Sequence, residues 1–472
     1  MKTEPPATAP ADTPDDLLAA FPSDLPAVER RAALPAGFVA GAVAAGIKAS
    51  GRPDLAVIRA TAGPAAAAAV FTTNQVVAAP VQASRTNLAI TRPESRGGGT
   101  DHYGRAQAIV ATSGCANAAT GLAGLADQMA IAHAVAVHFG VDPTGVLSLS
   151  TGVIGTRLPV AKVAVGIVNL AVAGLEGTDA GLLAAAEALR TTDTVSKVAT
   201  AAVALPGPDG SPVPVTVSGI AKGVGMIHPR MATMLAVVLT DAAVSPGTLH
   251  GLLRAATVRT WNQLSVDGDT STNDTVFLLA SGASAAAPVL PGSAEAAALG
   301  GAIEAVARSL ARQQAADGEG AATLLTCQVS GARDEIDARA VARAVISSSL
   351  VKAAAHGRDP NWGRVAGAAG NARLGEVRLL EMAGLAHAEA SARAGAPAFV
   401  DPDRMRIAIA GHLVYDGPSG GPVAFDRAAA RAAMSAPDVV VRLDLGLGSG
   451  SGEAFGCDLT EQYVIENAEY TT

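Results

Sequence analysis

Residues 222–235 carry the side chains best suited to chemistry. They read Lys-Gly-Val-Gly-Met-Ile-His-Pro-Arg-Met-Ala-Thr-Met-Leu, a glycine-rich loop running into an apolar stretch. Such a loop can strain a peptide bond beside a hydroxyl residue, so the Thr233 hydroxyl could attack the carbonyl carbon of Ala232. Cleavage would leave Thr233 at a new amino terminus, where an α-amine with an ordinary pKa of about 7.7–8 can act as general base. The alternative is that Thr233 is an ordinary β-branched strand residue.

Residues 266–274 form a second segment that is dense in short polar side chains. They read Val-Asp-Gly-Asp-Thr-Ser-Thr-Asn-Asp and superficially resemble a calcium-binding loop. Thr272 stands where an EF-hand needs glycine, and Leu278 stands where it needs glutamate. The run is therefore not an EF-hand, and a polar turn before a strand is the plain alternative, although it holds more polar groups than a turn requires.

Other catalytic and cofactor motifs fail on their context. Residues 417–421 fit G-x-S-x-G, but Pro418 and Pro422 flank the serine and favour a loop over a nucleophile elbow. Residues 446–452 alternate glycine with no clear helix after them, and no phosphate-binding G-x-x-x-x-G-K-[ST] occurs. The histidines are scattered and H-E-x-x-H is absent. We therefore expect neither a metal nor a cofactor.

The composition excludes several classes of protein. The 472 residues include 34 Lys+Arg and 42 Asp+Glu, for a net charge of −8, with 49% hydrophobic and 3% aromatic residues. An acidic balance with few aromatic rings argues against a nucleic-acid partner. No run of about 18 strongly apolar residues predicts a membrane span. Three cysteines without a C-x-x-C pair favour a reducing, cytoplasmic compartment.

Short apolar runs predict the strands that must position these segments. Their length and their Val, Ile and Leu content suit buried strands. They span residues 55–60, 69–73, 107–112, 146–150, 214–217, 234–240, 276–280 and 323–329. Residues 1–33 resemble a flexible extension, and we expect ordered structure from Leu34 onward.

Longer amphipathic stretches predict helices over residues 127–139, 297–315 and 337–351. In the first of these, the helical spacing places Met129 on one face with Ala132, Val135, Ala136 and Phe139. The order of strands and helices is mixed rather than strictly alternating. This order favours a layered α+β fold over a doubly wound sheet.

A series of segments, in order from about Pro35 to the last residue, resembles the ornithine acetyltransferase (glutamate N-acetyltransferase) family of arginine biosynthesis. Residues 219–235 resemble its self-cleavage segment. The other matching segments are Pro35-Ala-Gly-Phe38, Gly46-Ile-Lys48, Ser150-Thr-Gly-Val-Ile-Gly155, Thr191-Thr-Asp-Thr194, residues 266–274, Asp317-Gly-Glu-Gly320, Asp359-Pro-Asn-Trp-Gly-Arg364, Gly456-Cys-Asp-Leu-Thr460 and Asn467-Ala-Glu-Tyr-Thr-Thr472.

The resemblance implies a layered α+β, N-terminal-nucleophile-like fold and a self-cleaving enzyme. One precursor would be split between Ala232 and Thr233 into an α chain, ordered over 34–232, and a β chain, 233–472. Family members assemble as α2β2 or larger. They transfer an acetyl group from N2-acetyl-L-ornithine to L-glutamate, and some also use acetyl-CoA as donor.

The resemblance also implies a role for each matching residue. Thr233 would be the nucleophile, and Thr151 and Gly152 would form the oxyanion hole. The hydroxyl and the backbone N–H of that pair are the donors a tetrahedral oxyanion needs, although the pair also suits a turn at a strand end. The residues implied to bind substrate are Thr191 (or Thr192), Lys222, Thr233, Glu319, Asn467 and Thr472. On sequence alone, Lys222 could instead be a solvated side chain and Glu319 an acid at a helix end. Asn467 and Thr472 could belong to a frayed terminus.

Three residues depart from the family pattern. Cys115 and Arg230 each stand where the family usually has Asn, and Thr323 stands where it usually has Lys. These changes redistribute charge near the implied site, so the substrate stays open. The alternatives are a paralogue acting on another amino acid-like amine, an amidohydrolase or aminopeptidase of the same fold, and a non-catalytic binding protein.

Overall fold

Three sheets make up the β structure of the residues described by this computed structural model, which are 17, 24–93, 101–228 and 234–468. The strands are β1 (Phe38–Val43), β2 (Leu55–Ala60), β3 (Ala65–Phe71), β4 (Tyr103–Ala106), β5 (Ala108–Cys115), β6 (Val146–Val153), β7 (Lys197–Pro206), β8 (Pro212–Lys222), β9 (Leu235–Thr240), β10 (Leu264–Ser265), β11 (Thr275–Ala280), β12 (Leu324–Ala332), β13 (Arg406–Ile409), β14 (His412–Asp416), β15 (Gly421–Pro422), β16 (Asp438–Asp444) and β17 (Gly450–Cys457).

The helices lie between and outside the sheets. They are α1 (Ala79–Ile90), α2 (Gly121–Phe139), α3 (Val160–Ala173), α4 (Asp179–Leu189), α5 (Pro246–Arg259), α6 (Ala294–Ala316), α7 (Glu335–Ser347), α8 (Ser349–His356), α9 (Trp362–Gly370), α10 (Val377–Met382), α11 (His387–Arg393), α12 (Arg427–Ala433) and α13 (Glu461–Ala468).

Two of the sheets carry the strand ends that matter for the site. The four-stranded sheet has the order β1-β2-β5-β6, and its β5 and β6 run parallel. The six-stranded sheet has the order β4-β3-β11-β9-β8-β7. Its central strands β9 and β11 are parallel, whereas β8 pairs antiparallel with both β7 and β9. The third sheet has the order β10-β17-β12-β16-β13-β14-β15.

Alternating side chains stack the sheets and helices into layers. In β2, Leu55 and Val57 pack in a cluster with α2 and α3, whereas Ala56 and Ile58 join a core shared with the six-stranded sheet, α1 and α4. The other face of the six-stranded sheet packs against α5 and α6. Phe455 of β17 belongs to the same hydrophobic cluster. This arrangement confirms the layered α+β fold expected from the sequence.

Most local predictions are confirmed, and each of the eight predicted strands lies within or overlaps an observed one. Two helix predictions are wrong in detail. Met129 is 61% exposed, whereas Ala132, Val135 and Ala136 of the predicted face are buried together with Ile131, so the buried face of α2 is turned away from Met129. The predicted helix 337–351 is two helices, since Ser348 ends α7 and its hydroxyl caps α8 by accepting from Val351 N.

Two further segments differ from simple expectation. Residues 24–33 belong to the expected extension, yet Glu29 exchanges two backbone hydrogen bonds with Thr200 on the edge strand β7. Helix α2 is long and apolar enough, by length and composition alone, to cross a membrane. Its inner face packs on the four-stranded sheet, as expected for a core helix.

The turn between β1 and β2 is held by one buried carboxylate. Asp54 is fully buried and accepts backbone hydrogen bonds from Ala45 (2.6 Å), Ile47 (2.6 Å) and Lys48 (2.9 Å). Ile47 and Lys48 in turn pack against Gly114, near the end of β5. The turn therefore supports the end of the strand that pairs with β6.

Replacing Asp54 with alanine should lower the free energy of unfolding by about 3 kcal/mol or more, because three backbone N–H groups lose their buried acceptor. Urea unfolding followed by circular dichroism measures the loss. Asp209→Ala is a matched control, since Asp209 caps an exposed turn through Ser211 and its removal should change stability little. Equal losses in the two variants would contradict this account of the turn.

Candidate active site

A cavity of about 290 Å³ lies where the ends of β6 and β8 meet the start of β9. The loops after α4 and α6 and the helix α13 close its sides. Its lining residues are Ala116, Thr151, Gly152, Val153, Ile154, Thr191, Thr192, Lys222, Gly223, Gly225, Met226, Met234, Leu235, Ser271, Asn273, Asp274, Glu319 and Asn467.

Thr151 and Gly152 lie at the end of β6, beside Ser113 and Gly114 of β5. Gly152 has a φ of +126°, and an added Cβ would lie 2.3 Å from the carbonyl carbon of Gly114. Only glycine suits both the backbone angle and this close approach. Glycine is therefore required beside Thr151, which lines the cavity.

Asn273 ties this strand end to the neighbouring loop. Its Nδ2 donates to the carbonyl oxygens of Ala116 (2.7 Å) and Ser150 (2.9 Å), and its Oδ1 accepts from the Thr272 hydroxyl. Asn273 is buried and precedes β11 by two residues. The polar run at 266–274 is therefore more than a turn, because it fixes the residue before Thr151.

Lys222 is the last residue of β8 and is buried, with 9% of its surface exposed. Its Nζ donates to Thr151 Oγ1 at 3.1 Å. Because Nζ supplies that proton, the Thr151 hydroxyl keeps its own proton for another acceptor. Burial lowers the pKa of Lys222 from its ordinary value, although the carboxylate of Asp193 opposes the shift.

Asp193 joins three elements around Lys222. Its carboxylate accepts from Gly223 N (2.8 Å), from Thr191 N (3.1 Å) and from Lys197 Nζ (2.6 Å). Burial alone would raise the pKa of Asp193, but the charges of Lys222 and Lys197 and these hydrogen bonds lower it to about 2. The group is therefore a carboxylate at neutral pH.

Glu319 lies on the loop after α6, as the glycines on both sides of it indicate. It accepts from Thr192 Oγ1 at 2.9 Å and from Asn467 Nδ2 at 3.0 Å, so it links the α4 loop to α13. An added Cβ at Gly225 would lie 2.2 Å from Glu319 Oε2. The glycine-rich loop therefore leaves room for this carboxylate to reach the cavity.

Six of the residues singled out from the sequence line this one cavity: Thr151, Gly152, Thr191, Lys222, Glu319 and Asn467. Ala232, Thr233 and Thr472 lie outside the described residues. Met234, the residue after Thr233, lines the cavity, and its carbonyl accepts from Thr275 N.

Sequence reasoning assigned no role to Asp193 or Asn273, although both lie in segments that carry the resemblance. A signal was present, since each belongs to a cluster of short polar residues, and the cluster with Asn273 also precedes a predicted strand. Among the described residues, no group of three or more His, Cys, Asp or Glu side chains is placed to hold a metal ion.

Gly152→Ala should destabilise the protein more than Gly155→Ala does. Both glycines have positive φ, but a Cβ at Gly155 meets nothing within 4 Å. We expect a loss of about 1–2 kcal/mol at Gly155 from backbone strain alone, and about 3 kcal/mol or more at Gly152, where strain and collision add. Urea unfolding of the two variants measures the difference. Equal losses would show that the approach of Gly152 to Gly114 is not a constraint.

Comparison with known proteins places the chain in a family. The model of the ArgJ family matches residues 39–472. The arginine biosynthesis bifunctional protein ArgJ of Thermus thermophilus is 43% identical over 93% of this chain and 99% of its own length. The protein of the same name from Thermosynechococcus vestitus is 43% identical over 92% of this chain and 96% of its own length.

Among solved structures, the ornithine acetyltransferase of Mycobacterium tuberculosis, crystallised with ornithine, is 38% identical. It covers 44% of this chain and 99% of its own chain, with a TM-score of 0.37. The family match over nearly the whole chain and the long, closely related sequences confirm the resemblance expected from the motifs. The chain belongs to the ArgJ family.

Proposed function

We propose that this protein is a self-cleaving N-acetyltransferase that moves an acetyl group from N2-acetyl-L-ornithine to L-glutamate through an acetyl ester on Thr233. The observation that carries the proposal is the convergence of Thr151, Gly152, Lys222 and Glu319 on one cavity that Met234 also lines. Membership of the ArgJ family, whose named relatives are arginine biosynthesis proteins, gives the reaction class.

The size of the cavity supports a compact substrate. Its volume of about 290 Å³ lies at the lower end of the roughly 300–1,000 Å³ typical of small-molecule sites. An acetylated amino acid fits this scale. The nucleotide part of acetyl-CoA would have to lie outside the cavity, so we expect N2-acetylornithine to be the better donor.

In the first half-reaction, the Thr233 hydroxyl oxygen attacks the acetyl carbonyl carbon of the donor while the α-amine of Thr233 takes the hydroxyl proton. The carbonyl oxygen becomes an oxyanion that accepts from the Thr151 hydroxyl and from Gly152 N–H. The C–N bond then breaks, the amine of ornithine takes the proton, and the acetyl ester remains. In the second half-reaction, the neutral amine of glutamate attacks that ester and restores the Thr233 hydroxyl.

Two opposite charges in the lining of the cavity support binding of an amino acid. Lys222 supplies positive charge for a carboxylate, and Glu319 supplies negative charge for an ammonium group. Thr191 and Asn467 line the same cavity. Donor and acceptor share the α-carboxylate, and each carries one ammonium group, which is the side-chain amine of N2-acetylornithine or the α-amine of glutamate before it loses its proton. One pocket can therefore serve both half-reactions. Thr472 is proposed to reach the same pocket.

The wild-type protein should be isolated as two chains of 232 and 240 residues (472 − 232), with the second beginning Thr-Met-Leu-Ala. Thr233→Ala should give one uncut, inactive chain, because both cleavage and acetyl storage need the hydroxyl. Thr233→Ser is the matched control, since it keeps a hydroxyl and should still be cut. Gel electrophoresis and amino-terminal sequencing measure both. A fully active, uncut wild-type protein would refute self-cleavage.

The reaction itself is tested with purified protein, N2-acetylornithine and glutamate. We expect N-acetylglutamate and ornithine in equal amounts by mass spectrometry, and parallel double-reciprocal lines over a grid of both substrates. Donor alone should add one acetyl group to the β chain. N2-acetyllysine, one methylene longer, is the matched donor control, and acetyl-CoA is the second.

Three results would contradict the proposal in different ways. Acetate in place of N-acetylglutamate would indicate an amidohydrolase. Transfer only from some other acetylated amine would indicate a paralogue, for which Arg230 and Thr323 are the first positions to revert. Intersecting lines without an acetylated β chain would indicate direct transfer in a ternary complex. The α2β2 assembly and the cytoplasmic location stay predictions.

A further inference from the structure

Four charged side chains form a network behind the oxyanion hole. Asp193 contacts Lys197 at 2.6 Å, and Lys197 also contacts Asp317. Asp193 and Lys197 side chains have no exposed surface. Asp193 further accepts from Gly223 N, the backbone group next to Lys222. The charges of two buried lysines, Lys197 and Lys222, therefore both act on the Asp193 carboxylate.

The network reaches the cavity through the hydrogen bond between Lys222 and Thr151. Lys222 Nζ donates to Thr151 Oγ1 at 3.1 Å, so the charge of Lys222 acts on the hydroxyl of a residue that lines the cavity. A protonated amine polarises that hydroxyl and makes it a stronger donor to an oxyanion. A neutral amine would lose this effect. The strength of the hydrogen bond that Thr151 donates to the oxyanion therefore depends on whether Lys222 is protonated.

Several charges from different elements act on Lys222. Asp193, Glu319 and Asp274 favour its protonated form, whereas Lys197 disfavours it. Lys48, whose own pKa burial and neighbouring charges lower to about 8, also lies close enough to repel Lys222. Among the charges that favour protonation, Asp193 acts most strongly.

We infer that Asp193 is a positioning residue for the oxyanion hole: its carboxylate fixes Gly223 and balances Lys222, so that Lys222 stays aimed at Thr151 in its charged form. This inference rests on the proposed function, because it assigns the oxyanion donor of that reaction. Asp193 touches no substrate in this scheme. It acts through Lys222 and Thr151.

The direction of the pH effect follows from the charges. Acetylation of the enzyme needs protonated Lys222, so its rate falls as the pH rises through the pKa of Lys222. Asp193→Asn removes a negative charge that favours protonated Lys222 and so lowers the pKa of Lys222. The alkaline limb of the pH–rate profile therefore moves to lower pH, by about one unit or more. Lys197→Gln removes an unfavourable positive charge and moves the limb to higher pH.

The experiment measures the pre-steady-state rate of β-chain acetylation by N2-acetylornithine alone, from pH 6 to pH 11, by quench and mass spectrometry. Using donor alone avoids titration of the acceptor amine. The variants are D193N, K197Q and the double variant D193N/K197Q, in which the two removed charges cancel. The double variant should return the alkaline limb to near its wild-type position. A merely structural role predicts slower rates without opposite shifts.

The ¹³Cε shift of labelled Lys222 is followed over the same pH range in each protein, and it reports the pKa whether or not the donor reacts. Opposite shifts in D193N and K197Q, in both rate and spectrum, support the inference. Shifts of one sign, or none, overturn it. If D193N no longer unfolds cooperatively, the test rests on K197Q. In that case, an alkaline limb of the K197Q pH–rate profile that does not move to higher pH overturns the inference. Wild-type protein that no donor acetylates refutes the proposed function instead, and the spectra still test the charge coupling.

Discussion

A lysine that is taken out of water must be neutralised or lose its proton, and Lys222 is such a lysine. It ends β8 with little exposed surface, directly beside the hydroxyl of Thr151. Asp193 supplies the opposing charge, and Lys197 and Asp317 complete a buried group of two cations and two anions. Through these side chains the α4 loop, the α6 loop and the end of β8 are joined to one another.

The remaining constraint is steric and concerns the strand ends. Gly152 approaches the backbone of Gly114, and Gly225 leaves space for Glu319. Asn273 also donates to the carbonyl oxygen of Ser150, the residue before Thr151. Each of these contacts joins residues far apart in the sequence, so the cavity forms only when the four-stranded and six-stranded sheets are both in place.

The sequence predicted much of this arrangement for identifiable reasons. Strands such as β2 and β11 are buried on both faces, so they appear as continuous apolar runs. Strands such as β17, which reads Gly-Ser-Gly-Glu-Ala-Phe-Gly-Cys, carry no such run and were not predicted. Met129 was assigned to the wrong face because an alanine-rich helix gives a weak periodic signal. The candidate site residues were identified through motifs that resemble those of a family. The partners of Asp193 could not be identified in this way, because no local pattern in a sequence pairs residue 193 with residue 223.

The six-stranded sheet combines strands from both sides of the proposed cut, and this affects how the protein folds and unfolds. Strands β3, β4, β7 and β8 precede the proposed cut, and β9 and β11 follow it, yet β9 lies between β8 and β11. Two separate chains would therefore share one hydrogen-bonded sheet and could not part without unfolding it. Folding as a single precursor is unimolecular, whereas refolding after the cut would require two chains to meet. Self-cleavage would make folding a one-way event, after which the lifetime of the protein depends on its unfolding rate rather than on an equilibrium.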